Sequence, residues 1–187
     1  MAGLALAVGV TACAAQDPAP APTSSTAPTE TAAPTPTETA QAGFLVTGTR
    51  YSYTAPAGWE ILDISGDATA DSVALLRVSA GVDSTITVVL PPTGPTTLEQ
   101  IEAAALPDLE QLGATDVVLV GRTNVAGVEA LHITATLSTE GATAAVDQFS
   151  VPHLDNTYVI MFMTDSAMTD ADRSALLDSV LSTWQWD

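Results

Sequence analysis

Between Asp17 and Ala42 the chain holds six Pro, seven Thr and seven Ala, and no Leu, Ile, Val or aromatic residue. A segment with so little to bury cannot offset the entropy lost on ordering it. Any core must therefore come from the residues that follow. Repeated Pro keeps such a stretch extended, so it is expected to serve as a semi-rigid tether of roughly 3 Å per residue where polyproline-like. Its Thr-Pro density also suits O-glycosylation, and a plain tether is the alternative. From Phe44 onward the composition becomes that of a globular domain, long enough for one sizeable core and without a repeat of 20–50 residues.

The residues before the tether carry their own signal. Ala2–Ala12 are small or apolar and uncharged. The run is too short to span a bilayer, which takes about 20 residues. It has the length of the hydrophobic part of a secretory signal. No basic segment precedes it, so the true start is expected upstream of Met1. The run ends in Val10-Thr11-Ala12-Cys13, which resembles the bacterial lipobox. That resemblance implies a diacylated Cys13, cleavage just before it, and a mature chain held to the outer face of the cell membrane; a free Cys in an apolar segment is the alternative. The expected organisation is a signal peptide over 1–12, a lipidated Cys13 and disordered tether over 13–43, and a globular domain over 44–187.

Charge and cysteine content exclude several classes. Twenty-two acidic residues face four basic ones, all Arg, for a net charge of −18. Binding to nucleic acid, or to anionic lipid through a polybasic patch, needs basic side chains that this chain lacks. Cys13 is the one cysteine, which excludes an intrachain disulfide framework or a Cys-rich zinc site. The carboxylates are spread over most turns and both predicted helices, as on a solubilising surface.

Period-two alternation predicts strands over Arg50–Thr54, Trp59–Asp63, Val73–Ser79, Thr85–Leu90, Val117–Val120, Val128–Leu137, Val146–Val151 and Tyr158–Met163. Within Val128–Leu137, Leu131, Ile133, Ala135 and Leu137 share one face, and His132, Thr134 and Thr136 the other. Asn124-Val-Ala-Gly127 and Asp155-Asn156 read as hairpin turns. Tyr158–Met163 is apolar on both faces and belongs at the centre of a sheet. A helix is expected from a capping box at Thr96-Thr-Leu-Glu99 to Gly113, with Leu98, Ile101, Ala105, Leu109 and Leu112 on one stripe and a kink or break at Pro107. A second should begin near Thr169 and bury Leu176, Leu177, Val180, Leu181 and Trp184. Four strands, a helix, four strands and a helix indicate an α+β fold, an antiparallel sheet flanked by helices.

This layout resembles the PsbP-like fold, an α-β-α sandwich. The carrying residues are Tyr51-Ser-Tyr-Thr-Ala-Pro-Ala-Gly-Trp-Glu60, the mid-chain Thr97-Leu-Glu-Gln-Ile101 and the terminal Leu177-Asp-Ser-Val-Leu-Ser-Thr-Trp184. With the lipobox and stalk, the whole resembles an actinobacterial cell-envelope lipoprotein of the LpqN type. The resemblance implies no shared catalytic residues.

Chemistry-bearing motifs are sparse. His132 is expected to be a surface histidine on a polar strand face, and His153 follows Pro152 at a strand end. Neither lies in a nucleophile-elbow context, and a zinc site would need distant carboxylates. The absence of Lys rules out a phosphate-binding Gly-x-x-x-x-Gly-Lys loop. Asp63, Asp67 and Asp71 surround a Gly in a loop that reads as a solvated acidic turn, with calcium as the alternative. The sequence therefore points to an extracytoplasmic, non-catalytic binding or scaffold module without cofactor, catalytic or metal-binding residues. Its partners would be the membrane, through the lipid on Cys13, and an unknown envelope protein. The alternatives are a carrier of an apolar ligand in a groove between sheet and helix and, more weakly, a hydrolase using His132 or His153.

Overall fold

The computed structural model describes residues 43–65, 69–92, 96–139 and 141–187. The predicted α+β class is observed. Strands β1 (Phe44–Gly48), β2 (Tyr51–Ala55), β3 (Glu60–Ile61), β4 (Ala70–Leu76) and β5 (Ser84–Val89) precede α1 (Leu98–Gln111). Strands β6 (Thr115–Val125), β7 (Val128–Thr139), β8 (Ala142–His153) and β9 (Asn156–Asp165) then lead to α2 (Asp170–Leu181) and β10 (Gln185–Trp186).

An antiparallel seven-stranded sheet runs β3-β4-β5-β9-β8-β7-β6, and a small sheet runs β1-β2-β10. As the apolar run Tyr158–Met163 predicted, β9 is the middle strand. The connection through α1 explains this order. It carries the chain from β5 across one face to the far edge, and the β6-β7-β8-β9 meander then walks back until β9 pairs with β5.

Each sheet face has its own core. On one side Leu131, Ile133, Ala135 and Val146 pack against Leu98, Ile101, Ala105 and Leu109 of α1. On the other, Phe149, Tyr158, Ile160 and Phe162 pack against the small sheet's Val46, Tyr51 and Tyr53 and against Val180 and Trp184. Of the two faces read in Val128–Leu137, the one with Leu131, Ile133 and Ala135 joins the α1 core, and the other joins the second core through Val128 and Ala130.

Several local expectations shift. The α1 cap is Thr97, not Thr96: its hydroxyl accepts from the Gln100 amide at 3.3 Å, and its own amide donates to Gln100 Oε1 at 3.0 Å. The Thr96 amide instead donates to Thr157 Oγ1 on β9, so the box moves one residue on. Helix α1 continues through Pro107. An internal Pro costs about 3 kcal/mol. Burying Leu98, Ile101 and Leu109 at about 1.5–3 kcal/mol each outweighs it. Gly113 (φ +85°) ends the helix as expected: its amide donates to the Glu110 carbonyl at 3.0 Å and that of Ala114 to Leu109 at 3.1 Å.

At the chain's end, α2 stops at Leu181, and Trp184 lies beyond it, just before β10. At the front, β1 was not anticipated, and the strand expected over Trp59–Asp63 shrinks to Glu60–Ile61.

The β8–β9 turn residues are Leu154 and Asp155 rather than Asp155 and Asn156, because His153 pairs with Asn156.

The β6–β7 hairpin closes through Ala126 (φ +49°) and Gly127 (φ +89°), two left-handed residues as in a type I′ turn. Asn124 Oδ1 accepts from the Gly127 amide at 2.7 Å. Left-handed backbone costs an L-residue such as Ala about 1–2 kcal/mol, and Asn tolerates it better. Ala126→Asn should therefore stabilise the fold by about 1 kcal/mol. In urea unfolding the midpoint should rise at unchanged slope; a fall would show that the turn is not limited by its backbone.

Candidate functional site

Where α1 crosses the sheet it leaves a groove of about 650 Å³. The helix wall is Gln100, Ile101, Ala104, Ala105, Asp108 and Leu109, and Leu112 stands at its end. The sheet wall is Val89, Gln148, Ser150, Thr157, Val159 and Met161. The cause lies in the sequence. Ala104 and Ala105 put methyl groups where larger side chains would fill the space beside the sheet, and interiors pack tightly only when volume is supplied.

The groove is mostly apolar, with Gln100 and Asp108 on the helix wall and Gln148, Ser150 and Thr157 on the sheet wall. Gln148 is 8% exposed and Ser150 2%, and both stand on β8 among Leu131, Ile133, Val159 and Met161 of the neighbouring strands. Gln148 Nε2 donates to Ser150 Oγ at 3.3 Å. Helix α1 is tied to β6 and β7 by Arg122, which meets Glu99 at 2.9 Å, Glu102 at 3.6 Å and Glu129 at 3.6 Å. The Arg122 hydrogen bond holds the Glu99 carboxyl below the usual carboxylate range. No sequence motif announced this groove. The available signal was two polar residues at inward positions of an otherwise apolar strand, opposite a run of alanines.

His132 is not the surface residue expected. Its side chain is 17% exposed, its ring stacks on Phe149 at 4.3 Å, and Nε2 lies 2.9 Å from Asp147 Oδ1. Asp147 is itself buried, and its other oxygen meets Arg173 Nε of α2 at 3.3 Å. Arg173 of α2 therefore reaches over His132 on the Thr-bearing face of β7, which the strand's own alternation did not reveal. Arg173 also bonds Asp170 at 2.8 Å. The carboxylate thus pairs a strand with a helix, and among the described residues no hydroxyl or thiol is hydrogen-bonded to His132. His153 sits at the end of β8 with its ring 4.6 Å from that of Trp186.

The acidic loop also divides its roles. Asp71, at a bulge in β4, accepts from the Thr49 amide at 2.7 Å and its hydroxyl at 2.6 Å, while Asp63 accepts from the Ser65 amide. Asp67 lies outside the described residues, as do Cys13, the rest of the signal segment and the tether through Ala42. Among the described residues no three His, Cys, Asp or Glu converge as metal ligands.

Behind the sheet, Trp184 stacks on Tyr51 at 4.8 Å and on Tyr53 at 5.1 Å, with ring planes within 10° of parallel. Burial pushes the Tyr53 phenol up to about 12, with the nearby Ser72 hydroxyl pulling the other way. Burial likewise raises Tyr51 well above its ordinary value, although Ser72 hydrogen-bonds it at 2.6 Å. In the unfolded chain these phenols ionise near pH 10. Since folding favours the protonated forms, their contribution is complete below about pH 10 and is lost as pH rises from there through 12. For Tyr53 alone this amounts to about 3 kcal/mol. Urea unfolding at pH 9 and above pH 11 should show the loss, and phenolate absorbance should appear together with unfolding. Ionisation of Tyr51 and Tyr53 near pH 10 in the folded protein would contradict it.

No family model matches the sequence, and no curated protein matches it significantly. Solved structures do match in fold. The chain spans about half (49%) of a protein from Bacteroides thetaiotaomicron, which covers 79% of this chain at 10% identity and TM-score 0.48. LpqN of Mycobacterium tuberculosis, described as involved in cell envelope biogenesis, covers 76% of this chain and is itself covered to 84%, at 17% identity and TM-score 0.47. Cyanobacterial PsbP (CyanoP) from Synechocystis is similar over 84% of this chain and 99% of its own, at 13% identity and TM-score 0.55. The likeness to CyanoP supports the PsbP-like α+β fold that the Tyr51–Glu60 opening and the two helices had implied.

Proposed function

We propose that this chain is a lipid-anchored extracytoplasmic module, tethered through Cys13, that holds an apolar ligand in the groove beneath α1. The groove is the observation that carries this reading. Its volume of about 650 Å³ lies in the range of small-molecule sites, and its walls are apolar with few polar groups, as such sites usually are. Counting about 30 Å³ for each water-sized group, it takes about one acyl chain and a small head. The same geometry favours a carrier over a flat docking scaffold. His132 and Asp147 lie on the opposite face and serve packing there, which lends a hydrolase reading no support. No helix among the described residues is long and apolar enough to cross a membrane, so attachment in this reading depends on the acylated cysteine.

The test is native mass spectrometry of the protein extracted from its own envelope. A bound amphiphile is expected, and Ala104→Trp, which fills the groove from an exposed helix position, should abolish it while leaving thermal unfolding unchanged. Wild-type protein carrying no amphiphile, or equal loading of the variant, would refute the reading. Cys13→Ser should move the protein to the soluble fraction, and unchanged membrane partitioning would refute the anchor.

A further inference from the structure

We propose that the groove selects an amphiphile with an uncharged, hydrogen-bonding head group and rejects carboxylates and phosphates, the selecting residues being Gln148 and Ser150; this rests on the apolar-ligand reading above. Both side chains are more than nine-tenths buried and line the groove, yet the one bond between them leaves most of their capacity unused. Among the described residues nothing donates to the Gln148 carboxamide oxygen or accepts from the Ser150 hydroxyl. The unused amide and hydroxyl positions face the groove, where a ligand hydroxyl, ester or amide would hydrogen-bond to them.

The charge around them sets the rest. The groove lining contains Asp108 and no Lys, Arg or His. Arg122 is held by Glu99, Glu102 and Glu129, Arg173 by Asp147 and Asp170, and Arg77 by Glu60 and Asp83, all outside the lining. An anionic head would enter a low-dielectric groove with a carboxylate at its wall and no counter-charge. A neutral head meets only donors and acceptors, and Gln148 offers both.

The experiment uses the full chain carrying Cys13→Ser, so that no acyl group of its own competes, loaded with the neutral dye Nile red. Displacement by 1-palmitoylglycerol is compared with displacement by palmitate at neutral pH. The monoacylglycerol should displace the dye at about tenfold lower concentration, the effect of roughly one to two net hydrogen bonds. Gln148→Leu, which matches its apolar neighbours in volume, should erase that ratio while dye binding persists; Ser150→Ala should reduce it. Equal displacement by both lipids, or a ratio untouched by either variant, would overturn the selection proposed here while leaving the groove as a binding site. Failure of the dye and both lipids to bind would overturn both readings.

Discussion

Trp184→Ala is expected to cost about 3–5 kcal/mol, the range for removing a large buried aromatic side chain. The indole is 4% exposed and lies against both Tyr51 and Tyr53, so truncation opens a cavity bounded by two rings that cannot follow it. That is a large share of a typical stability of 5–15 kcal/mol. Trp184 belongs to the core behind the sheet, opposite the α1 groove. The variant should therefore lose stability without losing groove ligand. Urea unfolding with lipid content assayed in parallel decides this: a shift below about 1 kcal/mol, or loss of ligand from the still-folded variant, would show that the C-terminal segment serves the site rather than the core.

Arg173→Met should be nearly as damaging, at about 3 kcal/mol, since removing one partner of a buried ion pair leaves an uncompensated charge. Asp147 is 4% exposed and keeps only His132 once the guanidinium is gone. The informative comparison is Arg173→Met with Asp147→Leu added. Replacing both charges by apolar groups is often neutral, so the double variant should recover most of the loss. If it is as unstable as the single variant, the cost of Arg173→Met comes from lost packing of the arginine stem and not from the stranded carboxylate.

Each expectation that survived depends on a local rule. Alternation in Val128–Leu137 assigned side chains to two faces because a strand's side chains alternate whatever surrounds it. The apolar run Tyr158–Met163 implied a central strand because only a strand covered on both sides keeps both faces apolar. Gly113 ended α1 because the left-handed position after a helix costs glycine nothing. The misplaced boundaries mark competition between local options. Thr96 and Thr97 are equally good caps until β9 takes the Thr96 amide. Asp155-Asn156 is a good turn until the register of β8 and β9 leaves Leu154 at the tip instead.

The candidate site was far less legible. Gln148 and Ser150 are two ordinary polar residues in a strand, and the alanines of α1 read simply as good helix formers. They become a groove because the crossover from β5 to β6 lays that helix over that strand, and the crossover's path is a long-range choice invisible in either segment. His132 shows the same limit: its Thr neighbours marked the face as polar, but α2 and the Asp147–Arg173 pair close over it from residues about 15 and 40 positions away. What sequence alone determined were the features that depend on composition or near neighbours, namely the period-two strands, the amphipathic α1 and the acidic surface. Tertiary structure decided which polar groups are buried and where space remains, because burial and cavities are properties of surfaces brought together and not of either surface alone.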